Sequence, residues 1–221
     1  MNTRKLLLAM VMLGSTCLQA GSINFSGIVD GVNVDATAVF NFGNGTFTVA
    51  ITNNVIGPGS VAQNLSGLSF VLSNASSAVL SGVSGSLISI NSAGNFTNTV
   101  GLPDWFQDGG LNNHTTALGS SGPDNTLVGA PCQPGINFGC SNSSIRGNGP
   151  HNPFAVGRLL LTYIAPGVTS ETTVQRLVFE FGTGPTAVTA LGEPDVTTPE
   201  IPSFAMAGLA AVAGLFMKKS K

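Results

Sequence analysis

The chain has 221 residues, of which 8% are charged, and it contains 29 Gly, 12 Pro, 3 Cys and 2 His. A charged fraction this far below the usual value of about 25% argues against a coiled coil, a highly charged disordered chain and a nucleic-acid-binding domain. This length allows one domain with short end segments. Two histidines leave little for metal or acid–base chemistry, so we expect no cofactor.

The N-terminus has the three parts of a secretory signal peptide. Arg4 and Lys5 precede an apolar run at 6–13, and the small residue Ala20 ends the segment. The apolar run is too short to span a bilayer, which needs about 20 residues. We therefore predict a signal peptide at 1–20 with cleavage after Ala20. A lipoprotein signal modified at Cys17 is the alternative.

The body, residues 21–198, has the sequence pattern of an all-β domain. Residues 32–40 and 47–52 alternate between apolar and polar side chains, and Asn44 followed by Gly45 favours a hairpin turn between them. Further strands are predicted at 23–28, 68–72, 86–91, 159–164 and 176–181. So many short strands predict an antiparallel two-sheet β-sandwich, immunoglobulin-like or jelly-roll. The frequent Gly and Asn leave a partly disordered matrix protein as the alternative.

Residues 101–153 form a loop-rich insertion in this pattern. The segment holds both histidines, His114 and His151, and both cysteines of the body, Cys132 and Cys140. In an exported protein two cysteines in one loop usually pair, so we predict a Cys132–Cys140 disulfide. The alternative is a zinc site that adds the two histidines, but the seven residues between the cysteines exceed the usual ligand spacing.

One short stretch of the insertion favours contact with sugars. Asp104 and Asp108 flank Trp105 and Phe106, which is the residue mixture of a carbohydrate platform or of a glycosidase carboxylate pair. No Gly-x-Ser-x-Gly motif occurs in the chain, and no Asp-rich calcium loop occurs either. A carbohydrate-binding module with a site around Trp105 is therefore one hypothesis, and a secreted hydrolase is a weaker one.

The charge of the body disfavours binding to nucleic acid or to anionic lipid. Between residues 21 and 198 there are nine acidic residues and three arginines, a net charge of −6. Ser, Thr, Asn and Gly on the predicted strands give a surface rich in hydroxyl and amide groups. Such a surface can hydrogen-bond to polysaccharide, and we expect a non-catalytic structural or adhesive role.

The C-terminus predicts membrane contact. Residues 201–217 carry no charge and are at the lower length limit for a transmembrane helix. Lys218, Lys219 and Lys221 follow, and by the positive-inside rule they stay on the cytoplasmic side.

The C-terminal segment at about 197–221 resembles the PEP-CTERM sorting signal of bacterial exosortase systems. Pro199 and Glu200 stand before the apolar run and the basic cluster, but Ile201 occupies the third position of the motif and Pro202 comes one residue late. The resemblance implies export, transient or permanent retention in the inner membrane, and processing by an exosortase-type enzyme. It also implies a location in the cell envelope or outside the cell, near exopolysaccharide and biofilm matrix.

Overall fold

The computed structural model describes residues 20–29, 31–109, 112–119, 122–123, 125–132, 137–183 and 188–194. Over these residues the regular structure is strand, with two single turns of 3-10 helix at Val61–Gln63 and Gly149–His151 and no α-helix. The all-β class is confirmed. The strands are β1 Ala20–Val29, β2 Val32–Phe42, β3 Thr46–Asn53, β4 Leu65–Leu72, β5 Val79–Ile90, β6 Phe96–Thr99, β7 Phe106–Gln107, β8 Thr115–Thr116, β9 Leu118–Gly119, β10 Gly122–Pro123, β11 Leu127–Val128, β12 Phe154–Ile164, β13 Val174–Phe181 and β14 Val188–Pro194.

Both predicted targeting segments lie outside the residues that the structure describes. Residues 1–19 of the predicted signal peptide are not described, and neither are the sorting motif, the apolar run 201–217 and the terminal lysines. In the part of the chain that is described, no helix has the length and apolar character needed to cross a membrane.

Twelve of the strands form one mixed sheet in the order β6-β5-β12-β3-β2-β1-β14-β13-β4-β8-β7, and β9 and β10 form a separate pair. The twelfth strand, β11, pairs in parallel with β12 and antiparallel with β4. Strands β12 and β4 stand far apart in this order, but β11 pairs with both. The sheet therefore curves so that these two strands lie near each other. One mixed sheet therefore stands where the sequence predicted two separate antiparallel sheets.

The hairpin of β2 and β3 follows directly from its sequence. From Val34 to Phe42 the side chains of β2 alternate between buried and half-buried positions, as the period of two predicts. Gly45 in the turn has a φ of +74°, which glycine adopts without steric cost. Strand β12 includes the predicted strand 159–164 and lies between β5 and β3, so its central place in the sheet is confirmed.

A cluster of aromatic rings fills the centre of the fold. Phe40 on β2 and Phe70 on β4 pack edge to face with ring centroids 5.6 Å apart, although β1, β14 and β13 separate these strands in the sheet. Phe47 stacks on Tyr163 at 4.9 Å. All four rings are fully buried, and each contributes about 1.5–3 kcal/mol through burial. The inner faces of distant strands thus meet in one core.

The described residues of the segment 101–153 include regular structure. They contain the five short strands from β7 to β11. Phe138 and Ile145 from this segment pack with Ile88 and Phe154 in a second, smaller core. The short strands escape prediction because two residues are too few to show any alternation.

The predicted Cys132–Cys140 disulfide is confirmed, and the loop that it closes contains Phe138 of this second core. The disulfide packs against Gly57, whose φ is +61°. A Cβ atom at Gly57 would stand 2.9 Å from the Cys140 Sγ, closer than such atoms approach. The disulfide therefore occupies space that a side chain at position 57 would need.

Candidate functional site

The hairpin of β7 and β8 places a histidine beside the main sheet. Strand β8 pairs with β4 through Gly67 opposite Thr116 and Leu68 opposite Thr115, and β7 pairs with β8. His114 directly precedes β8, and Asp108 directly follows β7. The hairpin therefore brings His114 and Asp108 to the same end of the short strands.

His114 lies between two carboxylates. Its Nδ1 is 2.8 Å from Asp108 Oδ2, and its Nε2 is 2.9 Å from the Glu180 carboxylate on β13. The hydrogen bond to Glu180 is the largest cause of a pKa of His114 raised to about 9; burial opposes the rise, and Asp108 adds to it. At neutral pH the ring is an imidazolium that donates one N–H to each acid.

The contact between Glu180 and His114 requires a residue without a side chain at position 67 of β4. Gly67 on β4 pairs with Glu180 on β13. A Cβ atom at Gly67 would lie 2.6 Å from Glu180 Oε2 and 3.2 Å from the Thr115 carbonyl oxygen. Gly67 therefore lets the Glu180 side chain turn across β4 toward His114.

The residue after His114 extends the polar contacts into the core. Thr115 Oγ1 is 2.8 Å from the Tyr163 hydroxyl, and both side chains are fully buried. Burial raises the pKa of Tyr163 well above its ordinary value of 10. The two hydroxyl groups satisfy each other, as buried polar groups must.

The hydrogen bonds of His114 give this cluster a structural role, and we call Asp108, His114 and Glu180 the clamp. Both nitrogens of His114 are engaged by carboxylates, so neither has a lone pair to accept a proton from a substrate. Within the described residues no group of three or more His, Cys, Asp or Glu side chains is arranged to hold a metal ion. The alternative Cys2His2 zinc site is wrong, because Cys132 and Cys140 form the disulfide and His114 is held by Asp108 and Glu180.

The predicted sugar contact around Trp105 needs correction. Trp105 is 3% exposed, and its Nε1 donates a hydrogen bond to the Asn125 carbonyl oxygen at 3.0 Å. A ring buried to this degree has no free face on which a sugar could stack. Asp104 is exposed beside it, whereas Asp108 turns to His114. The three residues do not converge on one binding surface.

A groove that the sequence did not indicate runs next to the clamp. Two adjoining depressions of about 450 and 300 Å³ share Ser76, Asn112 and Asn113 in their walls. His114 lines the smaller depression. We call the whole the Asn112 groove. The only sequence signal for it is the pair of adjacent asparagines, which turn conformations tolerate well.

Comparison of the chain with protein-family models, with curated proteins and with solved structures gives no match.

Proposed function

We propose that the protein is an exported, non-catalytic component of the bacterial cell surface or extracellular matrix that associates with polysaccharide. The observation that carries this proposal is a group of exposed, uncharged side chains on β5 and β6 that can form hydrogen bonds. Exposed hydroxyl and amide side chains follow one another along β5 and β6: Ser81, Ser84, Ser86, Thr97 and Asn98. Such a surface can contact sugar hydroxyl groups over a wide area without electrostatic steering.

The proposal includes delivery through the C-terminal segment that resembles a PEP-CTERM signal. An exosortase-type enzyme would process the chain near Pro199 and Glu200 while residues 201–217 hold it in the inner membrane. The Cys132–Cys140 disulfide supports this route, because disulfides form and persist in oxidising compartments. A disulfide in the body is therefore consistent with an exported protein.

The proposal also includes the architecture of the body, a β-sandwich of the immunoglobulin-like or jelly-roll type. The contact between Phe40 and Phe70 supports two facing layers that share one core. A closed, weakly charged β body of this kind is a scaffold whose outer faces are free for contact with matrix.

The experiment is fractionation of the native host with an altered sorting motif. We compare the wild type with a Pro199→Ala/Glu200→Ala variant, and use Thr197→Ala/Thr198→Ala as the matched control. The wild type and the control are expected in the extracellular or surface fraction, and the motif variant in the inner membrane. A wild-type protein that stays in the cytoplasm, or a motif variant sorted like the wild type, would contradict the proposal.

A further inference from the structure

The Asn112 groove has a rigid wall. Asn112 and Asn113 are two consecutive non-glycine residues in the left-handed region, with φ of 62° and 52°. Their conformation is fixed from the sheet side, because the Asn112 carbonyl oxygen accepts a hydrogen bond from Phe70 N at 2.8 Å. The Asn113 side chain accepts from Ala78 N at 2.7 Å and donates to the Phe70 carbonyl oxygen at 3.2 Å. Such conformations persist only where the surroundings hold them, and they concentrate at ligand sites.

The neighbouring wall is fixed in a similar way. Gln107 accepts a hydrogen bond from Leu80 N and donates one to the Ala78 carbonyl oxygen. His114 is held by its two carboxylates. The groove is therefore formed before any ligand arrives, which lowers the ordering cost of binding.

Other groups in the groove remain available. Within the described part of the chain, the side chains of Ser76, Ser77 and Asn112 form no hydrogen bond, and all three residues are exposed. Two hydroxyl groups and one amide can each donate and accept. Polar groups held at fixed positions can set the orientation of a bound ligand.

The charges around the groove select a neutral ligand. Apart from His114 the lining side chains of the two depressions are uncharged. His114 with Asp108 and Glu180 carries a net charge of about −1, since the raised pKa keeps the ring protonated. An anionic ligand is repelled by this cluster, and a cation finds the two carboxylates already engaged by His114.

We propose that the Asn112 groove binds a neutral oligosaccharide segment, with sugar hydroxyl groups hydrogen-bonded to the Asn112 amide and to the hydroxyl groups of Ser76 and Ser77. A sugar hydroxyl donates and accepts, as these three side chains do, and it carries no charge. The proposal deepens the proposed function and rests on it for the presence of polysaccharide where the protein resides. It moves the sugar contact away from Trp105.

The test is affinity electrophoresis of the full-length chain in native gels that contain dextran or hydroxyethyl cellulose, which are neutral, or alginate, which is anionic. The variant is Ser76→Ala/Asn112→Gly, because glycine keeps the left-handed conformation without strain and removes the amide. The matched control, Asn95→Ala/Ser143→Ala, removes one exposed amide and one exposed hydroxyl group that lie outside both the groove and the β5–β6 surface.

We expect retardation by at least one neutral gel and none by alginate. Loss of two hydrogen bonds of about 1 kcal/mol each should weaken binding about 10- to 30-fold in Ser76→Ala/Asn112→Gly and leave the control unchanged. No retardation by either neutral polymer, equal retardation of variant and wild type, or stronger retardation by alginate overturns the proposal. Matrix localisation without retardation rejects the groove alone, and retardation with cytoplasmic localisation rejects the proposed function alone.

Discussion

His114 and Glu180, 66 residues apart in the chain, form an ion pair with Nε2 2.9 Å from the carboxylate. The pair ties the short β7–β8 hairpin to β13, and Asp108 holds the other side of the ring. The hairpin itself has only four ladder residues, too few to be stable alone. The clamp therefore stabilises the segment that carries one wall of the Asn112 groove.

Stability should fall at alkaline pH as His114 loses its proton. The pKa of His114 rises from 6.5 in the unfolded chain to about 9 in the folded chain, so its contribution is complete below pH 6.5 and is lost as pH rises through about 9. Replacement by Gln should cost about 1–2 kcal/mol at pH 6, between the values for exposed and buried pairs, and far less at pH 10. Chemical denaturation of both proteins across this range measures the effect.

His151 provides the control for this prediction. Burial lowers the pKa of His151 below its ordinary 6.5, so the two imidazole signals in an NMR titration should separate to opposite sides of that value. His151→Gln should retain the alkaline loss of stability. A titration of His114 near 6.5 would show that the clamp does not hold the proton.

The single tyrosine should resist ionisation. Burial raises the pKa of Tyr163 above 10, so the folded protein should show no tyrosinate absorbance near 295 nm at pH 10.5. The unfolded chain ionises near pH 10, so stability is unaffected below this pH and decreases above it. Tyrosinate absorbance near pH 10 in a protein that is still folded would place the hydroxyl group in water.

The hydroxyl pair in the core should give non-additive mutations. Tyr163→Phe leaves Thr115 Oγ1 buried without its partner and should cost about 1–3 kcal/mol, and Thr115→Val should do the same to the tyrosine. The double variant should cost less than the sum, because both polar groups are then gone. Additive losses in urea unfolding would contradict the contact.

Trp105 should act through stability and not through sugar binding. Trp105→Ala should lower the unfolding free energy by about 3–5 kcal/mol because the ring fills the core. Trp105→Phe should lower it less and leave retardation in the polysaccharide gels unchanged. Loss of retardation in a fully stable Trp105→Phe protein would return the sugar contact to the tryptophan.

Removal of the disulfide should weaken the second core. By the chain-entropy model, a closed loop of this size contributes about 2–3 kcal/mol. Cys132→Ser/Cys140→Ser should unfold at a lower urea concentration than the wild type, and reduction of the wild type should reproduce this shift. Identical unfolding transitions for the wild type, the reduced wild type and the variant would mean that the disulfide does not stabilise the fold.

The strands that the sequence predicted share one property, a local signal. Alternation in β2 and β3 and the turn at Asn44 and Gly45 lie within about twenty residues, so propensity alone indicates the hairpin. The start of β5, in contrast, is rich in Ser and Gly, which weaken any strand pattern. β14 has no clear alternation either, and it was not predicted.

The site was not predictable because its partners are distant in the chain. No spacing rule relates Asp108 and His114 to Glu180 before β4, β8 and β13 pair. The acidic and aromatic residues at 104–108 favoured a sugar contact, but such a local mixture does not show whether Trp105 is exposed. In the structure the Trp105 ring is buried, and its Nε1 donates a hydrogen bond to the carbonyl oxygen of Asn125, another residue of the same segment.

The most direct test of the proposed function is the intact mass and compartment of the mature protein from its native host. We predict a chain that starts after Ala20, lacks Lys218, Lys219 and Lys221, and lies outside the cytoplasmic membrane. A chain that keeps these lysines in the membrane fraction would be a plain single-pass anchor. That result would contradict sorting to the matrix.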